Sequence, residues 1–381
     1  MGHERIEWIP DPGYWAIANH EVVAAISADS TRFCSSRGIL VAEIGSTYDS
    51  PPTMMHTDPP DHTVYRALVQ PAFGRRRMKT LEDSIRARVE PVAAVLCNGE
   101  VHDLVDLLAV PVPIHVIIEL LGIDHVETSR VKGWSDAAIP DAMEMSDEDR
   151  MAAMGDMVTE LITTAARRRE DPAADVLSEL TNAEVTLDGV THRLDDTELA
   201  MFGVQLVVAG NETTRNAIAG GLIALAQRPD QWQRLVDDPT LAPLAVEEIL
   251  RWTSPVVSFL RTAVVDVTLP VPRLDGAAPD ELTIAANDPV LLLYGEANRD
   301  PIEFGDSADL FDVGRTPNHH LAFGFGTHFC LGAALARIEI RVVLEALLAQ
   351  GRMPSLVGDV RYSPSQIIAG VEFAEVQFLP A

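Results

Sequence analysis

Apolar positions recur at intervals of three and four residues along most of the chain, the spacing that stacks them on one face of a helix. Four segments carry this pattern clearly: "DHTVYRALVQPAF", "KTLEDSIRARVEPVAAVL", "EDRMAAMGDMVTELITTAARRR" and "APLAVEEILRWT". The longest predicted helix runs from Asp195 to about Gln227. It opens on "LDDTE", where carboxylates suit the positive end of a helix dipole, and stops at "RPD". A further helical pattern, "LGAALARIEIRVVLEALLAQ", starts directly after Cys330. Strand signals are fewer. "EVTLDGVTHRL" reads as a hairpin around Asp188 and Gly189, and "FLRTAVVDVTLPV" and "LTIAANDPVLLLY" carry β-branched residues in the C-terminal third. Proline and glycine gather at Pro51 to Pro60 and at Pro270 to Pro279, which read as surface loops rather than linkers. The expected fold is mainly α with small β-sheets, in a single domain over 1–381, without internal repeats.

Composition narrows the class. Of 381 residues 47% are hydrophobic, enough for a sizeable core. No run of about 18 uncharged apolar residues is present to span a bilayer, so no membrane partner is expected. The start, "MGHERIEWIPDPGYW", lacks a basic stretch followed by an apolar one, so secretion is not expected. Cys34, Cys97 and Cys330 are few, odd in number and far apart, which favours a reducing, cytoplasmic setting over a disulfide framework. The net charge of −28 repels phosphates, which makes nucleic acid a poor partner. "GRRRMK", Gly74 to Lys79, runs against that field with four of the 29 basic residues, as either a solvated helix end or a docking patch.

The chemistry gathers around Cys330. Phe323, Gly326, His328, Cys330 and Gly332 form the arrangement F-x-x-G-x-H-x-C-x-G just before a helix. Free amides and the positive end of the dipole at a helix start stabilise a thiolate and lower its pKa. Glycines let the preceding backbone approach a flat ligand closely. A thiolate so placed can hold haem iron axially and push electron density toward O–O cleavage. The segment resembles the cysteine-ligand signature of the cytochrome P450 monooxygenases.

That resemblance implies the cytochrome P450 fold and roles for further residues. Cys330 would bind the iron of haem b, with Phe323, Gly324, His328 and Gly332 around it. His62 and Arg66, at i and i+4, resemble the H-x-x-x-R donors for haem propionates, joined by Arg261 and His328. Glu248 and Arg251 in "EEILR" resemble the E-x-x-R pair, with Arg315 as its third partner. In "VVAGNETTRNAI", Ala209 and Gly210 are the small residues that would leave room for dioxygen, and Glu212 with Thr213 resembles the acid and alcohol pair. Read without the resemblance, Thr213 and Thr214 would simply bond back to the preceding turn. Met54, Met55, Val208, Val256 and Ile368 are expected to line an apolar substrate pocket.

The implied activity is insertion of one oxygen atom of O2 into a C–H bond of a hydrophobic substrate, such as a steroid or branched lipid. Electrons would come from NAD(P)H through a ferredoxin reductase and a ferredoxin, to a monomeric enzyme. Two alternatives stand beside it: an H2O2-driven peroxygenase on the same fold, and a non-catalytic haem or metal binder, such as a zinc site of His319, His320, His328 and Cys330. That zinc set fits no usual spacing. The chain departs from the family in a shorter N-terminus and a longer, more acidic segment over 270–288. Asn287 stands where the family has a turn glycine, and asparagine tolerates the left-handed conformation.

Overall fold

The computed structural model describes residues 5–48, 53–138, 145–187, 189–365 and 367–380; Asp188 of the expected hairpin lies outside them. Ten helices of nine or more residues are found there: α1 (His20–Ala28), α2 (Asp61–Val69), α3 (Arg75–Leu96), α4 (Pro111–Leu121), α5 (Thr128–Ala138), α6 (Asp147–Glu170), α7 (Asp196–Ala226), α8 (Pro229–Asp237), α9 (Ala242–Thr253) and α10 (Ala333–Leu348).

The 31-residue α7 lies within one residue of its expected bounds. Asp195 caps it, accepting from the backbone of Thr197 and Glu198, while Glu198 accepts from the backbone of Asp195. This reciprocal cap satisfies amides that a helix start otherwise leaves bare. Three glycines bring neighbours close. A Cβ on Gly203, Gly210 or Gly221 would lie 2.7, 2.3 or 2.6 Å from Leu161 of α6, Ile117 of α4 and Ile249 of α9 respectively. α7 is thereby held by helices on several sides, and α10 packs along α3, α9 and α7.

The largest sheet has five strands in the order Ile6–Ile9, Tyr14–Ile17, Pro289–Leu293, Ser258–Ala263, Phe33–Cys34. Its one parallel pair joins Tyr14–Ile17 to Pro289–Leu293. Each C-terminal strand signal resolves into two strands, Ser258–Ala263 with Val267–Val271, and Asp280–Ile284 with Pro289–Leu293. Asn287 takes the turn between the last two at φ 73°. The hairpin formed by Val267–Val271 and Asp280–Ile284 uses the acidic 270–288 segment, where Arg273 pairs with Asp275 and Asp280.

"GRRRMK" is a helix end, one of its two expected readings, since Arg75 to Lys79 form the first residues of α3. Other expectations need correcting. The proline-rich stretch before α2 is not all surface: the turn Met54–His56 buries Met54 and His56. The C-terminal hairpin, Arg352–Tyr362 with Val371–Pro380, carries proline and glycine that break the strand signal in the sequence. Among the described residues no helix is long and apolar enough to cross a membrane.

Candidate active site

The loop ahead of α10 folds around left-handed glycines. Gly324 and Gly326 have φ 67° and 72°. A Cβ on Gly326 would also fall 2.6 Å from the Ser27 carbonyl oxygen, so this position is closed to other residues on two counts. The Cys330 amide donates to the Phe323 carbonyl at 2.9 Å and closes the loop. Gly332 then caps α10, which begins at Ala333. The helix therefore starts two residues later than expected. Burial pushes the Cys330 thiol up, and the Gly332 amide, Arg66 and Arg337 pull it down without prevailing. A bound metal ion would hold Cys330 as the thiolate, because coordination deprotonates a thiol outright.

Cys330 faces a cavity walled by α2, α4, α7, the Ser258–Ala263 strand and its own loop. At one end four basic side chains converge: His62 and Arg66, one turn apart on α2, Arg261 from the strand and His328 from the loop. The His62 and His328 rings lie 4.2 Å apart between centroids. His62 Nδ1 is buried without a partner. Burial, with Arg66 next to it, lowers the His62 pKa to about 4. Burial and Arg261 lower that of His328 to about 2. Both rings are neutral at pH 7, so this end offers two guanidinium cations and two uncharged imidazoles. Among the described residues Glu339 is the only acid lining the cavity.

α7 supplies the opposite wall. Ala209, Gly210 and Thr213 all reach the cavity. Thr213 Oγ1 donates to the Ala209 carbonyl at 2.8 Å, the back-bond to the preceding turn. Behind the cysteine loop, Glu248 and Arg251 are fully buried and paired at 2.8 Å. Arg251 also donates to the carbonyls of Asn298, Ala308 and Leu310, and Arg315 donates to Glu248 at 3.0 Å. This network fastens α9 to the segment leading into the loop, with every charge partnered as burial demands.

Comparison with known proteins identifies this architecture. A family model described as Cytochrome P450 matches residues 236–353. Cytochrome P450 130 of Mycobacterium tuberculosis is 36% identical over 347 residues, covering 90% of this chain and 82% of the relative. A steroid C26-monooxygenase of the same organism is 37% identical over 342 residues, covering 87% of each. The chain belongs to the cytochrome P450 family. The crystal structure of CYP109E1 from Bacillus megaterium in complex with corticosterone superposes with a TM-score of 0.82 at 28% identity, covering 98% of this chain and 94% of the other. The protein is thus a P450 monooxygenase, of a family that uses haem and dioxygen.

Within this P450 the expected residues separate. Met54, Met55 and Val256 line the cavity, as do Phe323, Gly324, His328 and Gly332. Val208 does not: the cavity stripe of α7 passes through Phe202, Leu206, Ala209 and Thr213, and Val208 projects from another face. Ile368 is buried and bridges Val256, whose side chain takes the cavity surface there. Glu212 is also off the cavity, about 100° around the helix from Thr213. It pairs with Arg215 at 2.9 Å and lies 3.5 Å from the Ser135 hydroxyl. Burial raises its pKa against the pull of Arg215. Arg215 in turn lies 3.9 Å from Asp136, which meets the partly exposed Lys132 at 2.7 Å. The four proposed zinc ligands do not converge, since His319 pairs with Glu303, His320 with Glu247, and His328 packs on His62.

Two residues escaped the sequence reading. Glu247 grips Arg337 through two bonds of 2.7 and 2.8 Å and His320 at 3.1 Å, tying α9 to α10 across the loop. Arg337 also stacks on Phe323 at 4.5 Å. Glu339 is buried, its Oε2 has no partner, and burial raises its pKa well above the ordinary value. An acid on the apolar stripe of α10, between Leu335 and Val343, was the available signal.

Proposed function

We propose that this P450 holds haem b in the cavity, with Cys330 as the proximal ligand of iron and the His62, Arg66, Arg261 and His328 group binding the two propionates. The observation that carries this is the basic end itself: two cations and two neutral donors converge beside the thiol, and among the described residues neither Arg66 nor Arg261 is ion-paired to a protein carboxylate, which makes a receptor suited to two carboxylates. When bound, thiolate-ligated haem activates dioxygen so that one oxygen atom enters a C–H bond of the substrate. The protein supplies the rest. The loop glycines allow close approach of the backbone, and Ala209 with Gly210 keeps the α7 wall low. Thr213 holds a proton at Oγ1 on the cavity surface, where an ordered water can exchange with it. Glu212 is a positioning residue: it does not line the cavity, and its ion pair with Arg215, which lies 3.9 Å from Asp136, fixes the turn of α7 that carries Thr213.

The apolar lining calls for a hydrophobic substrate. A steroid or similar bulky lipid is supported by the relative named a steroid C26-monooxygenase and by the corticosterone complex of CYP109E1. Electrons would arrive from NAD(P)H through a reductase and an acidic ferredoxin docking at Arg75, Arg76 and Lys79. These exposed cations stand at the positive end of α3, where they oppose the helix dipole and so do nothing for the helix. The central test is Cys330→Ala. The reduced, carbon monoxide-treated wild type should show the red-shifted thiolate band and the variant should lack it; persistence of that band would refute the assignment.

A further inference from the structure

Along α7 the cavity stripe is apolar apart from the threonines and one amide, Gln205. Gln205 is the only amide side chain on the lining among the described residues, and its neighbours there include Met54, Met55, Phe202 and Leu206. Its Oε1 accepts the Met54 backbone N–H at 3.0 Å. A backbone N–H can only donate, so the carbonyl end of the amide is the bound end, and the amide cannot be flipped without losing that bond. The NH2 end keeps both hydrogens, and among the described residues no protein oxygen accepts them. An amide donor held in this way beside apolar side chains favours a ligand that brings an acceptor over one that does not.

We infer that Gln205 Nε2 is a recognition donor for an uncharged oxygen, a ketone or alcohol, carried by an otherwise apolar substrate. A neutral amide suits such an oxygen better than a carboxylate, and the cations on the lining, Arg66 and Arg261, come from α2 and the Ser258–Ala263 strand rather than from α7. The inference rests on the reading above that oxidation takes place beside Cys330 and Thr213. Thr213 follows Gln205 by eight residues, about 12 Å along a helix rising 1.5 Å per residue, and about 80° around it. The two groups therefore face one space, and the carbon oxidised should lie roughly 10–12 Å from the recognised oxygen. That describes an elongated molecule with its oxygen at the end remote from the chemistry.

The test is a cycle of two ligands and two proteins. The ligands are 5α-androstan-3-one and its parent hydrocarbon 5α-androstane; the proteins are the haem-loaded wild type and Gln205→Leu. Affinity is read by calorimetry, which does not depend on any haem signal. The wild type should prefer the ketone by about tenfold, the value of one well-made hydrogen bond, and the variant should lose most of that preference. Wild-type product should carry its new oxygen on the ring end opposite C3. Equal weakening of both ligands would make Gln205 only a pin for the Met54 turn and would overturn the inference, as would a preference that survives in the variant. The carbon monoxide band, measured on the same samples, tests the haem reading separately.

Discussion

Thr213 and Glu212 are adjacent in the sequence, and the motif presents them as one functional pair; the helix parts them. Thr213 looks into the cavity, while Glu212 is buried in an ion pair with Arg215. Their substitutions should therefore have different signatures. Thr213→Ala removes a proton-holding hydroxyl at the cavity wall, a loss of about 10²-fold in the step it serves. Nicotinamide oxidation should continue while product per nucleotide falls and H2O2 release rises. Glu212→Gln should slow turnover with the ratio of product to peroxide preserved. Both yields, measured per nucleotide oxidised, separate the two, and unchanged coupling in Thr213→Ala would reduce that residue to a helix position. At this scale the motif residues were legible because each is a rare type at a fixed spacing. Val208, Ile368 and the direction of Glu212 were not, since they depend on which face of an element meets the cavity.

Among the elements, α9, α10 and the cysteine loop form one clamp. Glu247 closes it, and its acid sensitivity follows from its partners. Burial pushes its carboxyl up, but the bonds from Arg337 and His320 outweigh burial and hold it at about 2, against an ordinary 4.5. Folding is thus favoured while Glu247 is ionised, fully above about pH 5.5, and the gain is lost as pH falls toward 2. With allowance for its partial exposure the contribution is about 2 kcal/mol. Glu247→Gln should lower the urea midpoint at pH 7, and the gap to the wild type should narrow below about pH 4.5 and close only toward pH 2; a gap independent of pH would mean that packing, not charge, holds the clamp. The helices were readable because apolar periodicity reports a buried face directly, as the agreement at α7 and α9 shows. The cysteine-loop helix start and the C-terminal hairpin were less so, because turns, bulges and proline interrupt the period on which the reading depends.

For the molecule as a whole, a net charge of −28 contrasts with the cationic start of α3, and on the proposed docking that contrast would set how a donor is found. Arg77 is partly engaged, meeting Glu179 at 2.6 Å, while Arg75, Arg76 and Lys79 are exposed. Reduction by an acidic ferredoxin should slow as salt shortens the reach of these charges to about 8 Å at physiological ionic strength. Replacing Arg75 and Arg76 with Gln should slow reduction at low salt and make little difference at high salt, as stopped-flow kinetics would show; identical low-salt rates would place the dock elsewhere. The close fits at Gly203, Gly210 and Gly221 bear on how a substrate enters. They work as keyways, with Leu161, Ile117 and Ile249 as the keys, so that α7 can neither slide by a residue nor turn about its axis without driving a helix backbone into a side chain. The α7 wall is the fixed jaw of the site. An opening for a bulky hydrophobic substrate would then fall to the other jaw, where, among the described residues, one hydrogen bond, from the Met54 N–H to the Gln205 amide oxygen, holds the Met54 turn to α7.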